Sequence, residues 1–158
     1  MPSELNQENL TAYDAIVVGC GPVGGLAAIY LAKHGLRVAV VERDAQVYPY
    51  PRAVNLDNFT FTALNEIVGD PIEKLAYAVW EEAAYVLDKN DLNTHFADFT
   101  IETYGKIGAN NFFYQPALEA ILRETIAAHP NIDGFFNYNA LKLYQSERLT
   151  HFTIQNLA

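Results

Sequence analysis

The chain is poor in the residues that carry most self-contained chemistry. Among 158 residues it has one cysteine, one methionine, one tryptophan and two serines. A lone Cys20 cannot close an internal disulfide, so the chain has to hold itself together with a packed core, which suits a reducing cytoplasm. Neither Ser3 nor Ser146 stands in a G-x-S-x-G elbow, so no serine nucleophile is expected. The histidines His34, His95, His129 and His151 are too widely spaced for a metal site, and no metal is expected. Glu81 and Glu82 are adjacent, so their carboxylates diverge on a helix or a strand and make a poor acid/base pair. No residue of the chain is therefore assigned as catalytic. Cations are also scarce: ten Lys and Arg against nineteen Asp and Glu give a net charge of −9. That balance excludes nucleic acid and anionic membrane as partners. No apolar run is long enough for a membrane span. Residues 1–12 are polar and acidic, with no leader pattern, and read as a flexible tail. No repeat or low-complexity tract is present.

Hydrophobic residues, by contrast, make up 51% of the chain, enough for one domain with a real core. Its most informative stretch is 14–44. An apolar run at 14–18 fits a strand buried on both faces. Gly19-Cys20-Gly21-Pro22-Val23-Gly24 follows, then a helix over 22–34 with small residues Gly25, Ala27, Ala28 and Ala32, which allow close packing on a sheet. Gly35 falls where a left-handed helix cap is expected, and 36–41 reads as a second buried strand. In a dinucleotide-binding turn the first glycine makes the tight turn, the second admits a pyrophosphate and the third lets helix and strand close together. The helix amino end then offers unpaired N–H groups and its positive dipole end to the phosphates. Glu42 ends the second strand eighteen residues past Gly24, where an acid can accept hydrogen bonds from ribose hydroxyls. The glycine spacing alone would also fit an ordinary turn with a surface glutamate. The strand, helix and strand around it argue for the nucleotide.

Further along, Pro49 and Pro51 keep 43–52 extended. Helical spacing of Leu56, Phe59, Ala63, Leu64 and Ile67 predicts a helix over 56–68 that stops at Gly69, and Asp70-Pro71 opens a shorter one. An apolar run, a polar turn at 88–91 and a further mixed run predict a β-hairpin over about 84–96. Gln115-Pro116 begins a helix whose stripe is Leu118, Ile121, Leu122 and Ile126 and which His129-Pro130 ends. Short strands are expected near 134–138, 141–144 and 149–154, with a turn at 145–148.

Four ordered motifs, Gly-Cys-Gly-Pro-Val-Gly-Gly, Val41-Glu42-Arg43-Asp44, Pro51-Arg52-Ala53-Val54 and Tyr114-Gln115-Pro116-Ala117-Leu118, closely resemble the amino-terminal part of FAD-dependent aromatic hydroxylases. Within that family the motifs look like those of phenol and 3-(3-hydroxyphenyl)propionate hydroxylases. The resemblance implies an α/β, Rossmann-like FAD-binding domain over 13–158: a parallel sheet with flanking helices and a small β-meander. Two later motifs of the family beside the flavin have no counterpart before Ala158, so the domain is expected to be incomplete at its C-terminal side. The 80–100 hairpin is the segment that could contribute to the substrate side. It further implies that Gly19, Gly21, Val23 and Gly24 surround the FAD pyrophosphate, that Glu42 holds the adenosine ribose and that Arg43 flanks the adenosine. Arg52 would lie near the flavin and its phosphates, Gln115 would hydrogen-bond the cofactor, and backbone near Leu141 would meet the adenine. Arg43 also fits a solvated strand-end charge, Arg52 an exposed loop cation, Gln115 a helix cap and Leu141 a core side chain.

In that family the flavin transfers oxygen from O2 to a small phenolic substrate, with NADH or NADPH as transient electron donor. Three readings follow. The first is the FAD-binding part of such a monooxygenase. The second is a catalytically inactive, truncated FAD-binding or interaction fragment, which would associate with another chain through exposed sheet. The third is an NAD(P)-binding reductase domain, which the glycine motif by itself does not separate from a flavin site.

Overall fold

The computed structural model describes residues 11–50, 52–79, 83–87, 95–100 and 110–158. In chain order the elements are β1 (Ala15–Val18), α1 (Pro22–Lys33), β2 (Val38–Glu42), β3 (Asn55–Asp57), α2 (Asn58–Val68), α3 (Pro71–Leu75), β4 (Ala76–Val79), β5 (Ala83–Leu87), β6 (His95–Thr100), β7 (Asn110–Phe113), α4 (Gln115–Ala128), β8 (Ile132–Phe136), β9 (Tyr138–Gln145) and β10 (Thr150–Asn156). The expected tail, except its last two residues, the turn at 88–91 and the Glu81-Glu82 pair lie outside the described residues. The chain forms two compact units, Met1–Gln46 with Ile126–Ala158, and Val47–Thr125.

The first unit is built on a parallel sheet in the order β1-β2-β8, with Ala15 opposite Val38 and Val38 opposite Ile132. In the middle strand Val38, Ala39, Val40 and Val41 are all buried, so the sequence shows an apolar run rather than alternation. α1 turns Gly25, Ala28, Ile29 and Ala32 inward. Gly35 adopts φ +85°, and the N–H groups of Gly35 and Leu36 donate to Ala32 O (2.9 Å) and Leu31 O (3.3 Å), closing the helix in a Schellman motif. Leu36 is used by that cap, which is why β2 starts at Val38 rather than at 36 as the apolar run suggests. At the amino ends of the strands, the Tyr13 hydroxyl donates to Asp133 Oδ2 (2.9 Å), Arg37 Nη2 lies 3.2 Å from the same oxygen, and the guanidinium covers the Tyr13 ring at 4.9 Å. Partial burial and then the Asp133 carboxylate push the Tyr13 hydroxyl above its ordinary pKa. β9 and β10 form an antiparallel pair with an irregularity between Thr153 and Ile154, turned by Ser146 N–H donating to Leu149 O (2.8 Å). β9 is longer than the strand expected at 141–144, and Asn137, at φ 66°, separates it from β8.

The second unit holds an antiparallel sheet in the order β3-β7-β4 and the β5-β6 hairpin, in which Ala83 faces Thr100. The expected helix over 56–68 begins at Asn58 instead. Asp57 is the reason: its Oδ1 accepts from Thr60 N–H at 2.6 Å and fixes the cap, leaving Leu56 in β3. The buried face is then Phe61 and Leu64, three residues apart, while Phe59 is 80% exposed. Gly69, at φ +87°, stops the helix as expected, with its N–H on Asn65 O at 2.8 Å. α4 follows its predicted stripe, with Leu118, Leu122 and Ile126 wholly buried and Ile121 half-buried.

The Asp57 cap makes a pH-dependent contribution. The backbone N–H and then the hydroxyl of Thr60 hold the Asp57 carboxyl below its ordinary pKa. A carboxyl with a depressed folded pKa contributes stability that is present above its unfolded pKa and is lost as pH falls through the folded one. Asp57→Ala is expected to cost about 1 kcal/mol at neutral pH, and the difference from the unsubstituted protein should vanish in acid below the ordinary aspartate range. Denaturant melts at neutral and acid pH check both halves.

Candidate cofactor site

The amino end of α1 is placed by a contact that admits no side chain. A Cβ on Gly24 would overlap the Gly19 carbonyl oxygen and lie 3.4 Å from Val17 Cγ1, so this glycine is what lets the helix close on β1. Gly19 itself has φ +96°, a left-handed conformation that favours glycine. Its N–H donates to Val41 O at 2.8 Å, tying the turn to β2. Gly21 is different. It is the N-cap of α1 with an extended backbone, and a Cβ built on it meets nothing within 4 Å. No side chain caps the helix, and its first turn contains no acid. The side chain of Val23 is 84% exposed, so what this residue can offer a ligand at the helix start is its backbone N–H.

Glu42 faces this turn from the end of β2. Its Oε2 accepts from Cys20 N–H at 2.7 Å and its Oε1 from Asp44 N–H at 2.8 Å. A carboxylate has about four acceptor positions, so both oxygens keep capacity for hydroxyl donors. Beside it lies a cleft of about 180 Å³ lined by Val18, Gly19, Val41, Glu42, Arg43 and the start of β9, Tyr138 to Ala140. Arg43 supplies the positive charge on its wall, with an exposed side chain 3.9 Å from Asp44. Leu141 is the next residue of β9 and is half exposed. The three residues before it line the cleft, and no periodicity in the sequence marked them.

Arg52 and Gln115 belong to the second unit, and there they meet. Gln115 Oε1 accepts from both Arg52 N–H (2.9 Å) and Ala53 N–H (2.8 Å). Its Nε2 donates to Glu119 Oε1 at 2.7 Å. The Arg52 guanidinium covers the Tyr48 ring at 4.5 Å. Among the described residues no three His, Cys, Asp or Glu side chains are grouped to hold a metal, and no helix is long and apolar enough to cross a membrane.

Residues 12–153 match the family described as FAD binding domain. The chain belongs to that family. Its curated relatives include a protein named "Probable NADH-specific resorcinol 4-hydroxylase" from Rhodococcus jostii, 31% identical over 77% of this chain and 23% of that protein. Another is the 3-(3-hydroxy-phenyl)propionate/3-hydroxycinnamic acid hydroxylase of Klebsiella pneumoniae, 30% identical over 77% of this chain and 22% of that one. The chain thus spans under a quarter of the length of these relatives. Among solved structures it is similar to p-nitrophenol 4-monooxygenase from Pseudomonas putida DLL-E4, with a TM-score of 0.70, 26% identity and coverage of 90% of this chain and 36% of that one. A flavin-dependent monooxygenase solved with FAD and substrate shares the fold, with a TM-score of 0.72 at 19% identity over 92% of this chain and 27% of that one.

The FAD-binding domain's turn fits its cofactor on its own geometry. The space above Gly21 is open, the helix end is free of competing caps and acids, and the Glu42 carboxylate is already held in place. The two glycines should therefore separate folding from binding. Gly21→Ala is expected to change stability by less than about 1 kcal/mol while lowering FAD affinity at least about tenfold, a loss of roughly 1.4 kcal/mol. Gly24→Ala should instead destabilise the fold by about 1–3 kcal/mol through overpacking. Thermal melts beside flavin-fluorescence titrations distinguish the two.

Proposed function

We propose that this chain is the FAD-binding part of a flavin-dependent monooxygenase that hydroxylates small phenolic compounds with O2 and NAD(P)H. The observation that carries the reading is the uncapped amino end of α1, open above Gly21 and faced by a carboxylate at the end of β2. The named activities of the relatives support the substrate class, and the Rhodococcus jostii protein's name favours NADH as donor. Bound FAD would supply the oxygen-transfer chemistry.

The chain's own residues would bind and orient. Backbone N–H groups at Gly21, Val23 and Gly24 would meet the diphosphate, where the dipole of α1 favours negative charge. Gly19 keeps the turn tight. Glu42 would accept from the adenosine ribose hydroxyls, Arg43 would flank the adenosine, and backbone near Leu141 would meet the adenine. In the second unit, Arg52 and Gln115 are assigned to the flavin and its phosphates, and the β5-β6 hairpin to the substrate side. A cytoplasmic location belongs to the same reading, on the single free cysteine.

A second reading has its own observation. The β9-β10 pair exposes Leu143 and Leu149 above 60%, and Leu141 and Tyr144 by about half or more. Exposed apolar side chains of this kind on a two-stranded hairpin support association with a further polypeptide.

FAD added to the purified protein should produce bound-flavin absorption bands that survive desalting. A colourless product would overturn the first reading. Tight NADH binding without FAD affinity would favour a reductase domain in its place.

A further inference from the structure

The second unit contains a buried carboxylate that the cofactor assignments leave unused. Glu119 and Gln115, one turn apart on α4, are each only 7% exposed. A 2.7 Å bond joins Gln115 Nε2 to Glu119 Oε1. Glu119 Oε1 is the acceptor of that bond, so the Gln115 amide turns its NH2 toward Glu119. Its carbonyl oxygen is then left facing Arg52 N–H and Ala53 N–H, both of which it accepts. The reversed amide would set its NH2 against two donors and leave them unsatisfied. Phe113 N–H on Val54 O (2.9 Å) and the Tyr114 hydroxyl on Pro49 O (3.2 Å) fasten the same loop on either side.

We propose that Glu119 is a positioning residue: through the Gln115 carboxamide it fixes the backbone at Arg52 and Ala53, and so presents the Arg52 guanidinium, packed on Tyr48, to the anionic part of FAD. This rests on the FAD reading above. It also gives Gln115 a role different from the direct cofactor bond its motif implies. Its carbonyl oxygen is engaged by the loop, and the amide has one N–H left for a ligand.

Glu119→Met keeps the volume and helix propensity of the side chain and removes the acceptor. In the full chain without FAD, it should speed hydrogen exchange of the Arg52 and Ala53 amides about tenfold, the effect of losing one net hydrogen bond. Glu119→Gln retains an acceptor oxygen and should restore protection. Gln115→Met should reproduce the loss if the Glu119→Met protein is poorly soluble. FAD affinity, read by flavin fluorescence, should fall about tenfold in Glu119→Met. In an Arg52→Ala background the same change should have no further effect, because Glu119 acts through Arg52.

Unchanged exchange at Arg52 and Ala53 in both Met variants would overturn the positioning role whatever FAD does. Faster exchange with unchanged FAD affinity, or full additivity with Arg52→Ala, would overturn its link to the cofactor. Absence of FAD binding by the unsubstituted protein would instead defeat the FAD reading and with it the role toward FAD, while the exchange result still decides the clamp.

Discussion

The first unit depends on how closely α1 approaches β1. That approach is set at one point, where Gly24 passes the Gly19 carbonyl with no room for a Cβ. Farther along α1, the buried Gly25, Ala28 and Ala32 are small enough for the helix to pack closely. The turn is then held from two further directions, by Gly19 N–H on Val41 O and by Cys20 N–H on the Glu42 carboxylate. Because all these bonds are made within the chain itself, the first N–H groups of α1 are aimed before any ligand arrives. An anion binding there meets donors that need little reorganisation, which lowers the ordering cost of association.

On the FAD reading, this arrangement explains how a chain with a net charge of −9 would serve a diphosphate. Surface charges are screened over about 8 Å at physiological ionic strength, so the overall charge matters less than the local field. Locally, the first turn of α1 contains no acid, and the helix dipole presents roughly half a positive charge. The carboxylates of Glu42 and Glu119 are both occupied with N–H donors. Each acts as an acceptor that orients other groups, Glu42 the glycine turn and Glu119 an amide. In the proposed mode of binding, acidic residues build the donor array and the donors meet the anion.

What could be read from the sequence divides along the range of the interactions. β1, α1 and β2 were legible as elements because their signals are local: an apolar run, three spaced glycines, and Gly35 closing a Schellman motif two residues past Lys33, although β1 leaves Ile16 and Val18 exposed and is not the strand buried on both faces that its apolar run suggests. α4 was legible from its stripe. The β3-β7-β4 sheet was not, because its strands are three or four residues long and Asn55 pairs with Phe112 across more than fifty residues. The outward turn of Phe59 follows from the Asp57 cap, which the periodicity of the apolar residues masked. Glu119 was missed for a related reason. A glutamate beside Leu118 reads as the solvent edge of a helix, and only the Gln115 amide one turn earlier, with the Arg52 loop upon it, accounts for its burial. The starting residues of β9 were passed over because a cleft wall built by Tyr138 to Ala140 has no pattern of its own.

Where a bound cofactor carries the reaction, the protein contributes affinity, orientation and a local field. In the proposed function those contributions would come from main-chain groups at the α1 terminus, from the Glu42 and Arg43 side chains toward the adenosine, and from an Arg52 side chain whose loop Gln115 holds in place. Glycine, glutamate and glutamine are suited to this work for different reasons: the first by having no side chain, the second by accepting only, and the third by offering an acceptor and donors in one rigid group. Substitutions at these positions therefore act on how tightly and in what pose a ligand is held. The two units do this in parallel ways, since in each a buried or half-buried acceptor holds a turn of backbone in place while the cation next to it, Arg43 or Arg52, stays at the surface where a ligand can reach it.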